Sequence, residues 1–589
     1  MIRATLVAAA LSGAAAASAA AQADTLPRDT TATRDTTARD TVHLLLPPFP
    51  AAIAAGPLPA GSRYTFTADS LLFTGARSLS DLLAHIPGVY VARGGWFGQA
   101  EPVLYGGRGP AALEVYWDGV PYLPIGRDSV YLDPARIPLA PLERVDVIVL
   151  PAALQVYLVT ARARSTVPVT QIGITTGRQD IAGYRGGYAT RSRSGLGLSL
   201  LADVNSIGAS PGTTTEFSST DVWLQAEYIP PGGRLGASVQ LLSSTWHRRA
   251  SSDGRVDDWR QERRDQVVRV FYGARSDGLG SRLLGTVASS VAKKDTTTPD
   301  RWFFEGSLEA SHTWRRASAA VAARIGQGVP GALEARAGVI PVPGLTLAAQ
   351  ARHATYVGSR SADRAHATAG LALPLGVSAR AELAWSRGVQ APLISTDTVR
   401  QEATDVAAWV RWEHPRVLIE VGRGRRDPFV PLGFAASIKT VDSLGPTPRT
   451  EFVAAHASLR PLAGVELSGW YFDPVVGGGD FEPPHHARIS ATFYSKFWRV
   501  FRSGIFALRG EVAVESWTRW GLGGKDSAGV VQRRMGGATF VETNVEMQLV
   551  GATLFWIIRN NNGMRGSYVE GLGYPKRVQM YGARWFFTN

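Results

Sequence analysis

The chain has no cysteine. That excludes a disulfide framework, a thiolate metal centre and a cysteine nucleophile. Two readings of the absence stay open: chance usage, and an exported chain that avoids disulfides. Beyond the N-terminal segment no run of about 18 apolar residues occurs, so no membrane-spanning helix is expected. The best candidate, Val145 to Val159, is too short and holds Asp146 and Pro151. Catalytic signatures are missing too. There is no Gly-x-Ser-x-Gly, no zinc-protease motif, and no Ser-His-acid set that can be picked out. Gly106-Gly107-Arg108-Gly109-Pro110 lacks the Gly-Lys-Ser/Thr ending of a phosphate loop. His485-His486 has no nearby cysteine or spaced histidine to complete a ligand set. No enzyme activity, cofactor or metal site is therefore expected.

What is present begins with charge and glycine. The formal net charge is +13, which fits nucleic acid, an anionic lipid surface or an acidic ligand. The 63 glycines suit a turn-rich β protein. Met1 to Ala23 reads as a secretory signal: Arg3 is the positive start, Ala4 to Ala17 is a small apolar run, and Ala19-Ala20-Ala21 or Ala21-Gln22-Ala23 fits a cleavage site. Export leaves no role for nucleic acid. Residues 24–60 are low in complexity, with an Arg-Asp-Thr unit repeated at Arg28, Arg34 and Arg39. Such a segment buries too little apolar area to offset its ordering entropy and is expected to be disordered.

The stretch from Ser78 to Arg162 has a different texture. Leu79, Leu82, Leu83 and Ile86 recur at helical spacing, with Ser78 or Ser80 as N-cap. Pro87-Gly88 ends that helix. Val89 and Val91 begin a strand, Glu114 to Trp117 form another closed by the tight-turn pair Asp118-Gly119, and Arg144 to Val149 form a third. Three segments in this order, Leu82-Leu83-x-x-Ile86-Pro87-Gly88-Val89, Asp118-Gly119-Val120-Pro121, and Ile137-Pro138-Leu139 with Leu142 to Val147, resemble the plug domain of TonB-dependent outer-membrane receptors. The resemblance implies a small α/β plug at 61–165 inside a membrane β-barrel at 166–589. One departure stands out. Relatives follow the Glu143-Arg144-Val145 strand with Arg-Gly-Pro and a glycine-rich segment. Here Val149 to Leu154 replaces both, with no glycine until Gly173. One apical plug loop is expected to be shortened or rebuilt.

The sequence after residue 166 fits a barrel. Val222, Leu224, Ala226 and Tyr228 alternate with Trp223, Gln225 and Glu227. Val406, Ala408, Val410 and Trp412 alternate with Ala407, Trp409, Arg411 and Glu413, and Leu508, Gly510, Val512 and Val514 with Arg509, Glu511, Ala513 and Glu515. Alternation alone would also suit a soluble sandwich. Connection length decides: about 22 strands are joined by tight links in one parity and often longer ones in the other, as short periplasmic turns and outer loops require. The terminal pattern Gly582, Trp585, Phe587 resembles the last-strand signal read by the barrel-assembly machinery.

The resemblance carries further expectations. The role is energised import of a scarce solute, such as an iron chelate, a corrinoid or a glycan. The alternative is a non-transporting barrel used for surface binding or envelope structure. Asp40-Thr41-Val42-His43-Leu44 is similar to the short segment that pairs with an edge strand of the energy-transducing protein TonB; a plain linker is the alternative. The loop holding Trp96, Phe97 and Gln99 takes the place of an apical ligand loop, with Tyr122 and Arg127 as polar companions. Aromatic anchors at such a place are either binding hot spots or plain packing. The basic groups His247-Arg248-Arg249, Arg263-Arg264 and Arg423 with Arg425-Arg426 are expected to face anionic outer-membrane lipid.

Overall fold

A computed structural model describes residues 46, 48–50, 56–93, 98, 100–125, 131–178, 180–208, 216–250, 258–274, 279–293, 300–327, 329–391, 393, 397–432, 444–497, 505–525, 531–569 and 572–588. Its outer wall is a closed antiparallel barrel of 22 strands, from Val169–Gly177 to Val578–Thr588. The last strand pairs with the first, Phe587 opposite Thr170 and Met580 opposite Gly177, so no edge is left open.

Side-chain alternation explains where the wall sits. In Phe217–Tyr228, Leu224 and Tyr228 point outward and Trp223, Gln225 and Glu227 are buried inside. In Gln401–His414, Val406, Val410 and Trp412 face out and Asp405 and Ala407 face in. The exterior is thus apolar, while the largest fully buried side chains include Arg191, Arg269 and Arg426. Charge inside and hydrocarbon outside reverse the order of a water-soluble protein. They mark a barrel whose exterior meets lipid.

The connections segregate by end. One end carries tight turns such as 415–416, 463–464 and 550–551; the other carries 427–449, 477–485 and 560–577, and 518–537 with its own small hairpin of Trp520–Lys525 against Val531–Met535. The rule is not strict. The links 178–180 and 357–359 at the long-loop end are short, and 496–505 at the other end is not.

The lumen is filled by a five-stranded sheet in the order β1-β6-β7-β4-β5: β1 (Arg63–Thr67), β4 (Leu113–Trp117), β5 (Val120–Pro121), β6 (Leu142–Val149) and β7 (Leu154–Thr160). A two-stranded ribbon, β2 (Tyr90–Val91) with β3 (Val103–Leu104), stands apart from it. Helices α1 (Ala68–Phe73) and α2 (Leu79–Leu83) complete the plug. The leucines of α2, with Ile86, Val145, Val147, Val156 and Leu158, form its core. Ser78 is the N-cap of α2, but its hydroxyl makes no cap bond. Asp81 instead reaches back to the Arg77 N–H at 2.9 Å. Asp118 (φ 47°) and Gly119 (φ 90°) form the expected two-residue turn between β4 and β5.

The replaced segment after β6 is a tight hairpin. Val149 pairs with Leu154, and the Leu150 N–H donates to Ala153 O at 2.9 Å. The expected disorder of 24–60 does not hold for its described part. Phe49 is fully buried against Ile229, Phe271 and Leu284, with the Arg269 guanidinium 4.7 Å from its ring. A proline-flanked aromatic finds enough apolar partners at the tight-turn end to be fixed.

Candidate solute-binding face of the plug

The plug meets the wall through polar groups that the barrel turns inward. Asp118 accepts from Thr160 Oγ1 at 2.6 Å and from Gln240 at 2.7 Å. On the long-loop side Arg108 donates to both carboxylate oxygens of Asp405 at 2.6 Å and stacks 4.3 Å from the Phe429 ring. The hydroxyl of Thr447, in the 427–449 connection, donates to Gly107 O at 2.9 Å. Gly107 has φ +66°, so the loop that presents Arg108 needs a glycine here. The long connections therefore fold down onto the plug.

The centre of this face is aromatic. Tyr90 of β2 lies 5.6 Å from Phe481, 5.6 Å from Trp517, 5.8 Å from Trp520 and 6.2 Å from Tyr568. Its hydroxyl donates to Tyr568 O at 2.8 Å. Tyr568 in turn donates to Glu515, which also pairs with His486 at 3.0 Å. Burial, reinforced by the Glu515 charge, pushes the Tyr90 phenol well above its usual range, so it stays a neutral donor.

Beneath the aromatics lies a buried ionic network. Arg93 bonds Asp81 at 2.8 Å and Glu101 at 3.3 Å, and Arg559 of the wall bonds Asp81 at 2.6 Å. Burial pushes the Asp81 carboxyl up, but Arg559 and Arg93 outweigh it and hold the group well below the carboxylate range. At Glu101 burial wins over Arg93 and the carboxyl is raised. Burial, with Arg488 nearby, drives the His85 imidazole down to about 3. This plug edge thus carries one firmly ionised acid, one reluctant acid and one neutral histidine.

Two small cavities lie between plug and wall, the second of them against the network. One, of about 90 Å³, lies between Arg108, Glu114 and Gln155 of the plug and Arg352, Arg364 and His366 of the wall. The other, also about 90 Å³, lies between Asp81, Glu101 and Arg136 and the wall residues Asp221, Trp246 and Trp259. A chamber of about 320 Å³ sits lower, against Leu72, Ala76 and Gln171. Ligand pockets run to about 300–1,000 Å³, so neither outer cavity admits a drug-sized solute until the covering loops lift.

Of the sequence-derived candidates, Trp96, Phe97, Gln99, Arg127 and Asp40 to Leu44 lie outside the described residues. The ends of the 94–99 loop are placed: Arg93 lies in the network, and Gly98 O accepts from Arg248 at 3.2 Å at the barrel rim. Tyr122 is buried between plug and wall, with the Arg263 guanidinium 3.5 Å from its ring and no hydrogen-bond partner for its hydroxyl among the described residues. The sequence did not single out Tyr90, Arg93 or Asp405. Of the rim basic groups, only His247, Arg249, Arg264, Arg423 and Arg425 face outward. Arg248, Arg263 and Arg426 are buried inside; Arg263 donates to Leu123 O at 2.8 Å and Arg426 to Glu482 at 2.5 Å. His485 and His486 also part: His485 bonds the exposed Tyr471 hydroxyl at 2.7 Å, while His486 turns inward to Glu515.

Residues 59–156 match the TonB-dependent Receptor Plug Domain. Residues 59–156 form a TonB-dependent receptor plug domain, held inside a closed 22-strand barrel of the outer membrane. Its tight-turn end is therefore periplasmic and its long-loop end faces outward. No functionally curated protein matches it. Among solved structures, the chain is similar to a ferric enterobactin receptor variant of Pseudomonas aeruginosa (12% identity, 90% of this chain and 98% of that one, TM-score 0.68). It is also similar to the copper transporter OprC (12%, 90% and 100%, 0.70) and to the FrpB iron transporter of Neisseria meningitidis (9%, 90% and 99%, 0.68). At such identities the likeness is one of fold.

Proposed function

We propose that this receptor imports a scarce solute across the outer membrane, with TonB supplying the energy and the plug moving to release the load. The observation that carries the reading is the plug itself. It fills the lumen and is tied to the wall by buried ion pairs such as Arg108–Asp405 and Asp81–Arg559. A passive pore has no use for such a stopper. The solute class is a metal-bearing chelate. The structural neighbours are named for ferric enterobactin, copper and iron, and a plug face that offers an arginine-lined cavity and a separate aromatic centre suits an anionic, partly apolar complex. Trp96, Phe97, Gln99, Tyr122 and Arg127 are the proposed first contacts, and Asp40 to Leu44 the proposed TonB segment. No catalytic step is part of this reading.

The test uses proline, which removes a backbone donor and fixes φ. Thr41→Pro or Val42→Pro should abolish growth on the transported iron source while leaving ligand binding to whole cells intact. Normal growth of both variants would favour the non-transporting alternative.

A further inference from the structure

We propose that the chamber between α1 and the wall strands where the barrel closes is an inner binding site for an anionic solute with an apolar body. The inference rests on the import reading above: solute that leaves the outer face is held here before release. The chamber measures about 320 Å³ and lies along one flank of the plug, within the usual size range of ligand pockets. Its upper boundary is Arg77, which reaches from plug to wall and donates to Asn205 Oδ1 and, at 3.0 Å, to Met580 Sδ. Above it lies the cavity of about 90 Å³ beside Glu101, and Arg77, Asp203 and Asn205 line both spaces. Below it the chamber extends to Val169, Ala189 and Phe586 near the periplasmic end of the strands. One plug side chain therefore stands between an outward cavity and an inward chamber.

The wall makes this space by omitting side chains. Gly173, Gly183 and Gly187 line the chamber, opposite Arg185, Thr175 and Gln171 in the strand register. Gly187 does not have a positive φ, and a Cβ added there meets nothing closer than 3.5 Å. Neither backbone conformation nor crowding demands glycine at this position. Glycine inside a strand weakens it, and close approach of a ligand is one reason a strand keeps one. The space is also open to solvent: Arg185 points inward yet keeps 28% of its side chain exposed.

The lining selects the occupant. Four arginines, Arg77, Arg162, Arg185 and Arg584, face two carboxylates, Glu143 and Asp203. Both carboxylates are already taken, Glu143 by Arg162 at 2.8 Å and Asp203 by Arg185 at 3.1 Å, so neither is left to attract a cation. Leu72, Leu201 and Trp223 supply apolar surface. Trp223 is 2% exposed, and its indole N–H has no hydrogen-bond partner among the described residues. A buried donor left unmade is costly, and an oxygen of a bound solute satisfies it. Guanidinia and an indole donor beside apolar walls fit an anion that carries an aromatic or aliphatic body.

The chain has no cysteine, so Gly187→Cys places a single thiol in the chamber. The full-length protein in detergent micelles is labelled with sulfonatoethyl methanethiosulfonate, an anionic thiol reagent, and with its cationic trimethylammonioethyl counterpart. Relative to Val342→Cys in an exposed periplasmic turn, the anionic reagent should be favoured about ten-fold. Naphthalenesulfonate should slow labelling of Gly187→Cys several-fold, neutral naphthol should not, and neither should protect Val342→Cys. Adding Arg77→Gln should reduce the protection. Heat-modifiable mobility on gels verifies folding, and Ser199→Cys, in the same chamber, serves if Gly187→Cys does not fold. The same reagent preference at both cysteines, or equal protection by naphthol and naphthalenesulfonate, would overturn the proposal. Labelling needs neither TonB nor uptake, so it is independent of the proline variants. Normal growth of those variants together with charge-selective protection here would remove the import reading and keep the site.

Discussion

Asp81 joins the plug helix, a plug arginine and the wall through one side chain. It caps α2 through the Arg77 N–H and neutralises a plug arginine and a wall arginine at once. Removing one member of a buried pair leaves an uncompensated charge, at a cost of about 3–5 kcal/mol. Asp81→Asn should therefore loosen the plug from the wall, read as a lower unfolding midpoint and faster proteolysis of the plug. The sign of the pH effect follows from the depressed carboxyl. Its stabilisation is complete above the unfolded value near 4 and is lost as pH falls below it. His85 acts over a neighbouring window. Its imidazole is held down to about 3, so the unfolded chain takes up the proton first. Stability should fall as pH drops from about 6.5 towards 3, and His85→Gln should flatten the slope between those values. An unchanged slope in that variant would show that the imidazole is solvated.

At the scale of the element, much was legible because strands and helices announce themselves by period. The leucine spacing of α2 and the Asp118-Gly119 turn recur in the structure where the sequence puts them, although α2 ends at Leu83, ahead of Pro87-Gly88. So do the faces of Phe217–Tyr228 and Gln401–His414. Arg248, Arg263 and Arg426 were read wrongly for a simple reason. In a strand, adjacent residues point to opposite faces, so Arg248 between His247 and Arg249 has to be inside. What no local pattern contains is the aromatic centre. Tyr90, Phe481, Trp517 and Tyr568 are joined only by the fold, and each alone looks like an ordinary strand or loop aromatic. The wall strands also allow a direct check of facing. Val512 is about half exposed on the exterior of Phe506–Trp517, and Glu511 turns inward. Val512→Arg should destabilise by about 2–4 kcal/mol if the site is near the bilayer midplane. Glu511→Gln should be mild, since the amide keeps the side chain's shape and polarity and adds no charge to the lumen. Equal tolerance in refolding titrations would mean that the face is misassigned.

The whole molecule is a barrel with a stopper, and the proposed transport requires the stopper, or the connections that touch it, to move. The absence of cysteine makes this testable without background thiols. A Cβ built on Gly107 of the plug lies 3.5 Å from Thr447 Cβ in the 427–449 connection, within the range a disulfide needs. Gly107→Cys with Thr447→Cys should therefore form a bond on oxidation, although the positive φ at residue 107 costs about 1–2 kcal/mol for a side chain. The oxidised receptor should lose uptake, and reductant should restore it, because the lock acts on motion and leaves the lumen's chemistry unchanged. Each single-cysteine variant should transport in both redox states. If the locked receptor transports at the wild-type rate, the loop and the plug's outer face do not separate during the cycle. Solute would then have to pass along the flanks of a stationary plug, through the small cavities beside Arg108 and Glu101.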